Sequence, residues 1–488
     1  MENQVMILVI MAVYISGLML WGVYQGRKVK TEGDYAIAGR KLPGWVAALS
    51  ERATGESSWA LLGLPGAAYA FGLTEIWTAI GCVAGIITAW ALLAWRLSAE
   101  ADKLDSHTFT SFIAQSHPNQ TRWIRMVASS AIVFFFFLYV GAQFLGGGKT
   151  LHTLFDIDPV TGMIITAVII IPYTIYGGFR SVVYTDVIQA IVMIIALIAG
   201  PIMGFYYISQ NPDVFAPSIA QALEQAGPSF TSLTGAASGF GIGVVIVGGF
   251  SWLFGYLGGQ PQLSTRFMAI RDEKQAKRAR NIGIGWTLIA YLGALSIGWI
   301  GLAIFGPEGS STGLADREFV MPMVLLSVFP APIAAVLITG AIAAMISTAD
   351  SLLILSSTEM TENILKPASK KMRHITPKQQ LRLSRLMTAI LAIIALCLAY
   401  FAGDKTFIFS LVSYVWAGIG GTFSIVILLT LFWKRYHGIA VIATIVSGLL
   451  FTIIWINTGM EEVITSRILT FFVALFAGVL TSFLLPKK

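Results

Sequence analysis

Apolar runs of about twenty residues, each long enough to cross roughly 30 Å of hydrocarbon as a helix, follow one another along the whole chain. In lipid every backbone N–H and C=O must be satisfied inside the protein, which selects α-helices or closed barrels. The alternation a barrel needs is absent. The runs lie near 5–24, 43–70, 74–96, 123–148, 158–178, 181–207, 236–260, 280–305, 326–357, 383–402, 406–432, 438–457 and 463–485, about thirteen helices by this criterion. The expected fold class is an all-α integral membrane protein forming a single transmembrane domain. Only 12% of the 488 residues are charged and 56% are apolar, against about 25% charged in soluble domains. No stretch is polar enough for an attached soluble domain. Met1 to Gln4 carries no basic n-region and no A-x-A site follows, so the first run is expected as a retained helix rather than a signal peptide.

The formal net charge is +7, and its distribution matters more than its size. Basic residues occupy every second loop: Arg27, Lys28, Lys30, Arg40 and Lys41; Lys103 and Arg122; Arg180; Arg266, Arg271, Lys274, Lys277, Arg278 and Arg280; the stretch from Lys366 through Lys370, Lys371, Arg373 and Lys378 to Arg385; Lys434 and Arg435; Lys487 and Lys488. The alternate loops are nearly free of them, and the connection from Ser209 to Gly235 has none. The positive-inside rule then places the N-terminus outside and the C-terminus inside. The excess charge faces the lipid bilayer, not nucleic acid. Cys82 and Cys397 lie inside apolar runs without metal or disulfide spacing and are expected as buried apolar residues. His107, His117, His152, His374 and His437 show no metal spacing. Phe134 to Phe137 reads as lipid-facing or packing bulk, and Arg271 to Arg280 as an orientation signal.

Function in membranes concentrates where helices are interrupted or ionisable groups lie deep. The second run holds Ser50, Glu51, Arg52, Thr54, Glu56, Ser57 and Ser58 ahead of Pro65-Gly66, and the seventh holds Gly248-Gly249, Gly255 and Gly258-Gly259-Gln260-Pro261. The two are five segments apart, so charge places them in opposite orientations, the signature of inverted repeats with a midplane binding site. The repeats would cover 43–207 and 236–432, after an extra helix and cytoplasmic loop over 5–42 and before two extra helices over 438–488. Glycines that serve only close helix packing are the alternative for the seventh run. In the ninth run, the Ser347 and Thr348 hydroxyls with the Ala344 carbonyl could complete a small-cation site with carbonyls freed near Ala53 and Glu56; hydroxyls bonded back to their own helix are the alternative. Asp186 is a deep carboxylate, with pairing to Arg52 as its structural alternative.

The ordered stretches Asp34 to Arg40, Trp59 to Gly66, Gly178-Phe179 with Thr185-Asp186, Gln260-Pro261 with Arg266 to Ala269, Ser347-Thr348 and Leu411 to Gly418 resemble the sodium:solute symporter family over essentially the whole chain. Within it the likeness points to bacterial members that carry proline. The resemblance implies a LeuT-type 5+5 inverted repeat with one extra N-terminal and two extra C-terminal helices, in a bacterial inner membrane. It implies a sodium site at the carbonyls of Ala53, Glu56 and Ala344 and the hydroxyls of Ser347 and Thr348, with Asp186 close by. It also implies a substrate pocket at Trp59, Tyr139, Trp252, Tyr256, Gln260 and Pro261, to which Glu56 and Ser57 on the broken helix are added. Aromatic faces suit a small zwitterion with an apolar ring.

Two departures stand out. Gly55 replaces an aspartate important for sodium in the relatives resembled, with Glu56 next to it, so Glu56 could restore that charge, bind a substrate ammonium or couple transport to H+. The doubled Gly258-Gly259 puts Trp252 nine residues from Pro261, one more than the family spacing, and would turn the later pocket lining by about 100° if it stayed helical. The expected function is sodium-driven symport of an amino-acid-like solute, L-proline favoured, with no obligatory protein partner. A solute sensor without flux and a proton-coupled symporter are the alternatives. An enzyme is disfavoured, since Ser57 and Ser58 have no histidine or G-x-S-x-G context.

Overall fold

The computed structural model describes residues 2–29, 32–369, 372, 375–402 and 407–485. Lys30, Lys370, Lys371, Arg373, His374, Lys487 and Lys488, counted above among the loop charges and histidines, lie outside them. Its principal helices are α1 (Glu2–Gly26), α2 (Gly44–Ser58), α3 (Leu64–Phe71), α4 (Ile76–Thr88), α5 (Thr121–Phe155), α6 (Pro159–Gln210), α7 (Phe240–Phe250), α8 (Trp252–Tyr256), α9 (Pro261–Met268), α10 (Glu273–Phe305), α11 (Ala331–Glu359), α12 (Pro377–Ala402), α13 (Ile408–Val415), α14 (Thr422–Phe432), α15 (Gly438–Asn457) and α16 (Ser466–Leu484). The extended backbone among the described residues is one isolated parallel bridge, Leu42 with Ile270. Its bonds, Leu42 N–H to the Ala269 carbonyl at 3.1 Å and Arg271 N–H to the Leu42 carbonyl at 3.3 Å, tie the approach to α2 to the exit from α9.

Among the described residues 10 helices are long and apolar enough to span a membrane, or up to 11 if the bent pair Phe240–Tyr256 and Pro261–Met268 counts as one. This is fewer than the about thirteen expected, and the reason is local. The runs 43–70 and 74–96 fall in one continuous helical stretch, Gly44–Lys103, joined by a turn at Gly72–Glu75. The runs 158–178 and 181–207 fall in α6, which bends at Gly178, φ 65°; the Tyr35 ring packs so closely there that a Cβ would lie 2.6 Å from it. The other runs are found, some with longer ends: α10 starts at Glu273, where the Asp272 side chain accepts the Gln275 N–H at 2.9 Å. That bond and the neighbouring Arg271 hold the exposed Asp272 carboxyl below its usual range.

Large apolar side chains cover the outside, Leu20, Leu292 and Phe476 among them, as lipid requires. At the centre α6 packs against α2, α10 and α11, and α2 packs against α10 and α11. One outer expectation needs correction. Cys397 is exposed rather than buried, because its face of α12 points outward. Phe134 is exposed, whereas Phe135 and Phe136 are buried, so the aromatic run straddles both environments at helical periodicity.

Candidate functional site

α2 ends at a strained residue. Ser57 has φ 46° and ψ −159°, a conformation costing about 1–3 kcal/mol for a residue with a side chain. Its hydroxyl secures the break: Ser57 Oγ lies 3.0 Å from the Tyr139 hydroxyl on α5 and accepts the Trp59 N–H at 3.3 Å. The Ser58 N–H donates to Gln143 Oε1 at 3.1 Å. The segment expected to be broken is therefore broken at one definable position, braced by α5.

On the side of the break before Ser57 lies a polar cluster. Thr348 Oγ1 on α11 donates to the Thr54 carbonyl at 3.1 Å, and Ser347 Oγ donates to Asp186 Oδ1 at 2.5 Å. Asp186 Oδ2 also accepts Ser50 Oγ at 2.5 Å and Arg266 Nη2 at 2.8 Å. Arg266 further donates to Ser50 Oγ at 2.7 Å, Ser351 Oγ at 2.6 Å and the Gln262 carbonyl at 2.7 Å. Two expectations change here. Asp186 pairs with Arg266, not Arg52, and Arg266 is buried at 1% exposure rather than in a cytoplasmic loop. The cause is that the chain turns back into the protein after the second break, so α9 carries Arg266 beneath α2. Ser347 and Thr348 bond outward to other helices, not to their own. Ala53, Glu56 and Ala344 are fully buried on the same two helices, α2 and α11.

Arg52 is engaged by two neighbours on its own helix, bonding both Glu51 oxygens and reaching Glu56 Oε1 at 2.9 Å. The triad carries one net negative charge when both carboxyls are ionised. Glu56 Oε2 is buried without a hydrogen-bond partner. A Cβ at Gly55 would lie 3.2 Å from Arg52 Nη2, so a carboxylate at position 55 would meet the guanidinium that Glu56 already holds.

Beyond the break lies an aromatic cage. Trp59 and Trp252 stack with centroids 4.5 Å apart and planes 10° from parallel. Trp416 stands edge-on to Tyr139 and Tyr256 at 5.8 and 5.2 Å and lies 5.8 Å from Trp252. Phe409 closes one side, 5.5 Å from Trp252 and 6.3 Å from Trp59, and the Tyr256 and Tyr291 hydroxyls meet at 3.1 Å. The indole N–H groups of Trp252 and Trp416 are buried without an acceptor, and such orphaned donors normally have a partner.

The second break lies between Tyr256 and Pro261. Gly258 has φ 81°, and a Cβ at Gly259 would collide with the Gly420 carbonyl and the Ser424 N–H. The doubled glycine is thus absorbed in non-helical backbone, and the turn of about 100° that a helical insertion would cause does not arise. Gln260 is the residue just before α9, and its Oε1 accepts Gln262 Nε2 at 3.1 Å; Pro261 is the first residue of α9.

The model of the sodium:solute symporter family matches residues 35–448. The chain belongs to that family. Among similar proteins, the high-affinity proline transporter PutP of Bacillus subtilis is 33% identical over 96% of both chains. The sodium/proline symporter of Escherichia coli is 31% identical over 93% of this chain and 88% of that one. A Na+-coupled sialic acid symporter, solved substrate-bound and outward-open, aligns over 99% of both chains with a TM-score of 0.78 at 21% identity. The fold is therefore the LeuT-type arrangement of that symporter. Trp416, Phe409 and Tyr291 of the cage, and Gln143 at the first break, are not among the site residues the sequence points to. Trp416 lies within the stretch Leu411 to Gly418, but nothing in its local pattern separates a cage tryptophan from a packing one.

Proposed function

We propose that this protein is a secondary active symporter that uses an inward sodium gradient to take up a small amino-acid-like solute, L-proline. It would sit in a bacterial inner membrane with the N-terminus outside and the C-terminus in the cytoplasm, as the alternating loop charges favour, and move its solute chemically unchanged. The observation that carries the reading is the position of Ser57. One strained residue separates the hydroxyl and carboxylate cluster at Thr54, Asp186, Ser347 and Thr348 from the cage that starts at Trp59. A cation held by oxygens of Ala53, Glu56, Ala344, Ser347 and Thr348, close to Asp186, would fix the backbone just before the break. The same act fixes Ser57, Tyr139 and Trp59, which line the solute side. Coupling of this kind is reciprocal, so solute must raise cation affinity equally.

The cage fits the solute class. Entry of a pyrrolidine ring exchanges Trp59–Trp252 stacking for stacking on the solute, and its carboxylate offers acceptors to the orphaned Trp252 and Trp416 N–H groups. Tyr256 would line the same space, and Gln260 and Pro261 would border it from the second break. The relatives named as proline transporters support proline. One observation favours a second reading: the unpartnered Glu56 Oε2 could take up a proton and make H+ the coupling ion.

The test is uptake of labelled L-proline into proteoliposomes under a sodium gradient, a proton gradient and no gradient. Uptake with sodium alone supports the proposal, uptake with protons alone moves coupling to Glu56, and none under any gradient sinks proline as the solute. Thr348→Ala is expected to raise the sodium concentration for half-maximal uptake about tenfold, the effect of losing one hydroxyl ligand. An unchanged sodium dependence removes Thr348 from the site.

A further inference from the structure

Arg467 stands where its own helix does not favour it. It is the second residue of α16, at the positive end of the helix dipole, where a cation is disfavoured, and it is buried. Among the described residues it bonds neutral groups: Ser251 Oγ at 3.1 Å, the Gly248 carbonyl at 3.0 Å and Ser413 Oγ. Glu75 shares with it the lining of a cavity of about 430 Å³. A guanidinium buried without a bonded carboxylate is costly, so what it holds together matters.

Its contacts surround Trp252. Ser251 is the residue before that tryptophan, and the Ser251 hydroxyl donates in turn to the Gly248 carbonyl at 2.6 Å, so on this side Arg467 secures the end of α7. Ser413 lies on α13, between Phe409 and Trp416 in the chain, two rings of the cage that touch Trp252. The guanidinium carbon itself lies over the Trp252 ring, 4.7 Å from its centroid. Trp59 is stacked on Trp252 at 4.5 Å, so the indole is held between a ring and a cation. Such a contact strengthens when it is desolvated.

We propose that Arg467 is a positioning residue for the solute cage: it pins Trp252 so that the ring keeps its orientation when a solute takes the place of Trp59, and it makes α16 a determinant of solute affinity. The inference rests on the reading of the cage as the solute site. α16 lies after both proposed repeats, so the cage depends on a helix outside them.

Binding of labelled L-proline to the full-length protein in sodium-containing nanodiscs tests it. R467Q is expected to raise the Kd about tenfold. R467K should recover part of that loss, since a cation returns to the ring without the planar fork that bridges Ser251 and Ser413. In a W252A background R467Q should change nothing further. Sodium affinity without solute, read from the sodium-dependent rise in melting temperature, should stay at the wild-type value in R467Q. A merely structural arginine lowers sodium and solute affinity together; that outcome, a wild-type Kd in R467Q, or an undiminished effect of R467Q in W252A overturns the proposal. Should R467Q not fold, R467K with and without W252A makes the same comparison.

A second readout needs no proline. Cys82 is buried on α4 beside Tyr256 and Tyr291, and a Cβ at Gly85 on the same helix would lie 2.8 Å from the Tyr256 side chain, so Cys82 reports how α8 is seated. In a C397S background, an impermeant maleimide should label Cys82 faster when R467Q frees Trp252, with R467K in between; equal rates overturn the proposal. If the wild type binds no proline while R467Q still speeds labelling, the proposed solute has failed and the role of Arg467 stands.

Discussion

Two contacts between the broken helices are of opposite kinds. Before the first break and after the second, Ser50 and Arg266 meet within a charged cluster closed by Asp186. After the first break and before the second, Trp59 and Trp252 meet through ring faces, with indole donors left over. The pairing of 50 with 266 and 59 with 252 also shows that the two segments run antiparallel, as inverted repeats demand. The charged contact has fixed directions and a high penalty for partial loss, so it sets register. The stack gains mostly apolar contact that a solute ring can replace, so it is where the helices can part.

If that contrast is right, damage to the two contacts must read out differently. The largest effect is expected from Arg266→Gln, which strands a buried Asp186 and should cost about 3–5 kcal/mol, seen as a large fall in melting temperature in detergent. Adding Asp186→Asn to it should recover part of that loss, and simple additivity of the two would deny the coupling. Next comes Gly259→Ala, whose methyl meets Gly420 and Ser424 backbone and should destabilise by about 1–3 kcal/mol. A wild-type melting temperature there would mean the second break is pliable. Trp252→Ala is expected to keep the fold while weakening solute binding about tenfold, given about 0.5–1.5 kcal/mol for an aromatic pair; binding isotherms decide it. The smallest effect belongs to Tyr139→Phe, which removes one hydrogen bond bracing Ser57, worth about 0.5–1.5 kcal/mol. It should loosen the linkage between sodium and solute, and a sodium-dependent solute affinity identical to wild type would show that Ser57 needs no brace.

Both breaks were legible in the sequence because they are local: glycine, proline and clustered polar groups cannot sit in an unbroken lipid-facing helix. The hydroxyl pair on α11 was legible for the same reason. The partner of Asp186 was not, since Arg266 reads as a loop charge until α9 is seen to carry it back against α2. The effect of the doubled glycine could not be read either, because it depends on Gly420 and Ser424 arriving from a distant part of the chain.

The sequence by itself determined that this chain lives in a membrane, that it is all helical, and that two of its segments are broken. These follow from the apolar length and the backbone's need for partners, which are properties of each segment alone. Only the tertiary structure decided which charge pairs with Asp186, that Trp416 and Phe409 join the cage, and that Arg467 and Glu75 line one cavity. Those facts depend on which side chains distant segments bring within a few ångströms of one another, and no local pattern encodes that distance.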